Sequence, residues 1–62
     1  MTLEEIKEGM LVKYIPGHAK GDRCHPDCEI GRVTSVNDVY AFVRYGPKLH
    51  SEATDPEDLV RV

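Results

Sequence analysis

The stretch Glu29-Ile30-Gly31-Arg32-Val33-Thr34-Ser35-Val36-Asn37-Asp38-Val39-Tyr40-Ala41-Phe42-Val43-Arg44-Tyr45 decides the fold class. Both halves are rich in β-branched and aromatic residues, and Asn37-Asp38 divides them. This pattern predicts a β-hairpin with strands over Glu29 to Val36 and Val39 to Tyr45. Asn and Asp tolerate positive φ better than most residues with a side chain, which suits a two-residue turn. Such a turn pairs Val36 with Val39, Thr34 with Ala41 and Val33 with Phe42. One more residue in the loop would set Arg32 opposite Arg44, and directly opposed like charges are unfavourable. The two-residue register is therefore the expected one.

Upstream, Met10 to Ile15 is apolar and bounded by Gly9 and Pro16-Gly17, so it reads as the first strand. Val12 and Tyr14 share one of its faces and Lys13 takes the other. Leu3 to Glu8 can form one amphipathic turn, with Thr2 as N-cap, Glu5 three residues on, and Gly9 as its end. A turn that short is marginal alone and reads as an arm docking Leu3 and Ile6. Pro16 to Cys28 is a loop of thirteen residues holding two Pro, two Gly, two Cys and two His. Loops of that length in compact domains are usually functional or tied down.

Downstream, Gly46-Pro47 breaks the sheet and Lys48 to Thr54 can add a short edge strand. Asp55-Pro56-Glu57-Asp58 is a single helical or 3-10 turn, with Asp55 to cap it and Pro56 at its first position. Leu59 to Val62 is the closing strand. The expected architecture is mostly β: one domain over residues 1–62, with a long loop after the first strand and a one-turn 3-10 helix before the last. This element order resembles an SH3-like barrel. An OB-like barrel and an irregular metal-stapled β domain are the competing architectures.

A 62-residue chain supports one domain. It buries only roughly 60% of the surface that the unfolded chain exposes. With no Trp and one Phe its core is thin, so support from a metal or a partner subunit is expected. The net charge of −3 is spread evenly. Residues 1–31 carry four basic and six acidic side chains, and residues 32–62 carry four and five. No Lys/Arg excess of the kind phosphate binding needs is present, which argues against nucleic acid as a partner. No apolar run approaches the length of a membrane span, and the first residues lack a signal-peptide pattern. A cytoplasmic protein with reduced cysteines is expected.

Two further stretches carry a resemblance. They are Tyr14-Ile15-Pro16-Gly17-His18-Ala19-Lys20-Gly21-Asp22 and His25-Pro26-Asp27-Cys28-Glu29-Ile30-Gly31. With the Val-rich hairpin and the ending Thr54-Asp55-Pro56-Glu57-Asp58-Leu59-Val60, they resemble a group of small uncharacterised phage and prophage proteins. The resemblance implies a compact accessory protein encoded near phage genes, working in the host cytoplasm, and it brings no activity with it.

Within the long loop, Cys24-His25-Pro26-Asp27-Cys28 is a C-x3-C, with His18 six residues before its first cysteine. Thiolate and imidazole are zinc's preferred ligands, and a structural site takes four. His25 to Cys28 suits a type I turn with Pro second, which would bring the two sulfurs together. The candidate metal set is Cys24, Cys28 and His18 with one of His25, His50 or Asp22. Zinc is the cofactor this set fits, although a C-x2-C knuckle with a second ligand pair would be the stronger pattern. The alternative is a plain loop. In it Cys28 is a small buried apolar residue, Asp22 and Asp27 hydrogen-bond their own loop backbone, and His18 packs or caps.

Catalysis is not expected. Cys24 or Cys28 with His18 or His25 has the residue types of a nucleophile and base, but so short a chain can hardly enclose a water-free site. The hairpin supplies the remaining clue. Ala41, Val43 and Tyr45 share the face that can line a core, leaving Tyr40, Phe42 and Arg44 on the other, residue types enriched at interfaces. Three functional readings follow: a module that binds a protein partner or a second copy of itself, a zinc-stapled structural domain, and a nucleic-acid contact through Arg32, Arg44 and Lys48. The first is preferred.

Overall fold

The computed structural model describes every residue from Met1 to Val62. Its strands are β1 (Leu11–Tyr14), β2 (Glu29–Val36), β3 (Ala41–Tyr45), β4 (Glu52–Thr54) and β5 (Leu59–Arg61). They form one sheet in the order β4-β3-β2-β1-β5, antiparallel throughout. The sheet curls into a half-barrel. The only helical pieces are two 3-10 turns, Gly17–Ala19 and Pro56–Asp58. No helix is long and apolar enough to cross a membrane.

Strand alternation directs one set of side chains inward. Val12, Val33, Ala41, Val43, Tyr45 and Leu59 are buried in one cluster. Ile6 joins them from the N-terminal arm, which turns as expected: Glu5 accepts from the Thr2 N–H at 2.8 Å, and Gly9 leaves at φ 87°. The arm is a turn, not a helix. The second 3-10 turn also forms as expected. Asp55 Oδ1 accepts from the Glu57 N–H at 2.9 Å, and Pro56 takes the first position.

The hairpin register differs from the expected one. Val36 pairs with Ala41, Ser35 with Phe42, Val33 with Val43, Arg32 with Arg44 and Gly31 with Tyr45. A bulge at Thr34 absorbs the shift between the two segments. Two causes act together. Asn37 does not adopt positive φ, so the mirror-image turn that a two-residue hairpin requires is absent. Instead its side chain accepts from the N–H groups of Val39 and Tyr40 at 2.8 and 2.7 Å, building a longer Asx-type turn.

The second cause is the core. Opposed residues share a face, and a one-residue slip would carry Val33 and Gly31 to the outer face beside Phe42 and Arg44. Burying a valine is worth about 1.5–3 kcal/mol, whereas an opposed charge pair costs roughly 0.2–1 kcal/mol. Packing therefore wins over charge. The Arg32 guanidinium turns aside and donates to the Gly9 carbonyl at 2.6 Å.

Candidate functional site

Tyr14 ends β1 and Tyr45 ends β3, with β2 between them. Across β2 their partners are Glu29 and Gly31. Gly31 is buried and has no side chain to fill the inner face. The two rings meet there edge to face, with centroids 6.1 Å apart. A Cβ on Gly31 would lie 2.8 Å from Tyr45 Cδ1 and 2.6 Å from Val43 Cγ1. Glycine at this position therefore sets the ring pair in place.

The rings form one wall of a cleft of about 350 Å³. Its other lining residues are Glu29, Glu52, Ala53, Thr54, Asp55 and Asp58. Two stretches of chain deliver these carboxylates: Glu29 at the start of β2, and Glu52 to Asp58, which runs from the start of β4 through the cap to the last residue of the second 3-10 turn. No lysine or arginine lines the cleft. At the bottom the Tyr45 hydroxyl and Thr54 Oγ1 are 2.8 Å apart, and both residues are buried. Burial raises the Tyr45 phenol above its ordinary value of 10.0; the Thr54 hydrogen bond opposes this, and Glu29 and Glu52 add to it. Lys48 reaches Glu52 at 3.0 Å. This hydrogen bond, and then the charge of Glu52, raise the lysine above its ordinary range. Both side chains are about half exposed, so the pair holds the cleft only loosely.

A second, shallower groove adjoins the cleft and shares Tyr14 and Glu29 with it. Pro16, His18, Pro26 and Asp27 complete its lining. Together the two depressions form one trough with a tyrosine-bearing wall and five carboxylates. It can receive a positively charged group, whose charge the carboxylates would compensate.

The residues expected to hold a metal fall into two sets. His18 and His25 come together, and their third companion is Asp27. The turn from His25 to Cys28 does form, closed by the Cys28 N–H to His25 carbonyl bond at 3.0 Å. What it brings together is an imidazole and a carboxylate, while Cys24 and Cys28 lie outside the converging group and are free thiols. Cys28 Sγ donates to the Asp22 carbonyl at 3.3 Å, and Asp22 Oδ1 accepts from the Cys24 N–H. His50 lies exposed between β3 and β4, outside the group.

The residues expected to meet a partner sit away from the trough, towards the sheet's outer side. Tyr40 is exposed in the hairpin turn, Phe42 is half-buried, and Arg44 is exposed opposite Arg32. Leu11 and Ile30 are also exposed, at 44% and 50%. The sequence pattern does not point to the trough. Strand period does give a signal for Tyr14 and Tyr45, which end their strands on the inward face. Glu52, Asp55 and Asp58 fall within seven consecutive residues, but nothing local joins them to Glu29 or to the two tyrosines.

No family model, curated protein or solved structure matches the chain.

Proposed function

We propose that this protein is a small non-catalytic binding module, an SH3-like barrel, that grips a Lys- or Arg-bearing segment of a partner protein in the acidic trough. The observation that carries this reading is the Tyr14–Tyr45 pair beside Glu29, Glu52, Asp55 and Asp58, of which only Glu52 meets a basic side chain, the half-exposed Lys48. The strand order, with the long loop after β1 and a 3-10 turn before β5, supports the SH3-like assignment. On this reading it works in the cytoplasm as an accessory protein, that of the host cell if a phage encodes it.

Titration calorimetry with lysine-rich, arginine-rich, neutral and glutamate-rich peptides of equal length tests the proposal. Basic peptides should bind, less tightly as salt rises. Glu29→Gln with Asp58→Asn should weaken them about tenfold or more. Equal binding of basic and acidic peptides, or indifference to that double variant, would refute it.

The outer face favours a second reading, self-association. Leu11 and Ile30 are exposed there beside the opposed Arg32 and Arg44, and together they line a shallow depression. Sedimentation tests it. A dimer that Leu11→Glu with Ile30→Glu dissolves would support this reading, and a monomer at high concentration would end it.

A further inference from the structure

The long loop folds into a definite shape. Its first 3-10 turn places His18, then Lys20 and Gly21 take left-handed conformations at φ 51° and 80° and reverse the chain. Lys13 Nζ donates to the Arg23 carbonyl at 3.0 Å and pins the far limb to β1. The Pro26 turn then returns His25 and Asp27 to His18. Two imidazoles stand edge to face with centroids 5.2 Å apart. His18 Nε2 lies 2.6 Å from Asp27 Oδ2, and His25 Nδ1 lies 4.0 Å from the same oxygen.

We infer that His18, His25 and Asp27 form a binding site for a divalent transition-metal ion of borderline softness, zinc by preference. Three observations carry this. The ligand atoms all lie within 4.8 Å of one another. A tetrahedral zinc ion with bonds of about 2.0–2.2 Å needs its ligands about 3.3 Å apart, and the separations of 2.6 and 4.0 Å straddle that value. His25 Nδ1 accepts a hydrogen bond from the Asp27 N–H at 3.0 Å, so this nitrogen already presents a lone pair. The metal displaces that bond and replaces the hydrogen bond between His18 and Asp27, whose ligand atoms move apart from 2.6 Å to make room for it.

The donor set selects the metal class. Two imidazoles and one carboxylate suit zinc and its neighbours, whereas calcium and magnesium want oxygen alone. Two side chains are well exposed, at 62% for His18 and 59% for Asp27. The groove lined by His18, Asp27 and Glu29 opens beside them. A fourth position is therefore accessible to water or to a side chain of whatever lies in the trough. Cysteine plays no part. The site differs in this from the thiolate set that the C-x3-C spacing suggests, and it does not depend on the trough's binding a basic segment.

Titration of the full chain with Zn2+, and with Co2+ for its visible spectrum, tests the assignment. Mg2+ and Ca2+ serve as controls. One equivalent of Zn2+ should bind, and the Co2+ spectrum should show nitrogen and oxygen ligands without a thiolate charge-transfer band. His18→Gln, His25→Gln and Asp27→Asn should each weaken binding by about a hundredfold or more, since even outer-shell losses cost 10–100-fold. Cys24→Ser with Cys28→Ser should leave it unchanged. Circular dichroism of each variant checks that the fold survives. Loss of binding in the double cysteine variant alone, a thiolate band, or no saturable Zn2+ binding in the folded protein would each overturn the assignment.

Discussion

Gly31→Ala is the substitution whose cost can be worked most directly from the structure. The added Cβ would stand 2.6 Å from Val43 Cγ1, 2.8 Å from the Arg44 carbonyl oxygen and 2.8 Å from Tyr45 Cδ1. Optimal carbon contacts lie at about 3.5–4.0 Å, so all three are far too short. The Tyr45 ring can tilt, but Val43 is fully buried, and the Arg44 carbonyl belongs to the strand paired with β2. Relief therefore means lifting β3 from β2. Overpacking of this kind costs about 1–3 kcal/mol. Alanine's stiffer unfolded chain returns about 0.5–1 kcal/mol, which leaves a net loss at the clash's upper range. A chain of this size has about 3–9 kcal/mol in total. At roughly 4–8 °C per kcal/mol, a net loss of about 2 kcal/mol lowers Tm by about 8–16 °C. Urea unfolding followed by far-UV circular dichroism should show a lower midpoint at unchanged slope. Adding Val43→Ala removes the nearest atom, so the two substitutions together should cost less than their sum. If Gly31→Ala unfolds within about 0.5 kcal/mol of the parent, the placement of Tyr45 over Gly31 is wrong.

Three other outcomes follow from the same structure. Because burial raises the Tyr45 phenol, ionisation is easier in the unfolded chain. The stability tied to its neutral form is fully present below pH 10 and falls as pH rises through the folded value; urea midpoints from pH 8 to 11 should decline, and more shallowly in Tyr45→Phe. Arg44→Glu turns an opposed like-charge pair into an attractive one and should add about 0.2–1 kcal/mol at low salt, less at high salt; a drop in stability would contradict the register. Asp55→Ala removes the cap on the Glu57 N–H and should cost about 1 kcal/mol, visible as a lower Tm; no change would show that the turn is held by Pro56 alone.

How far the fold was legible varies along the chain. The β character of Glu29 to Tyr45 follows from residue type and alternation, because both are local properties. The Asp55-Pro56 turn is equally local, since cap and first position lie within two residues. The hairpin register was not legible. It depended on whether Asn37 would use its side chain or its backbone freedom, and on Val33 needing Val43 across the sheet. Those contacts reward one register only after β1 and β5 have closed the other side of the core.

The linear chain by itself determined the mostly β character, the strand faces, the turn chemistry, and a loop rich in ligand-type side chains. It could not determine which charges become neighbours. Acidic and basic residues are spread evenly along the 62 positions, yet folding brings Glu29 and two tyrosines to the acidic stretch from Glu52 to Asp58 and opposes Arg32 to Arg44. It likewise groups His18 and His25 with Asp27 and leaves both cysteines outside. The physical reason is that secondary structure answers to neighbours a few residues away, whereas a site is made where strand pairing and loop closure bring distant segments together. Only the closed sheet says which those are.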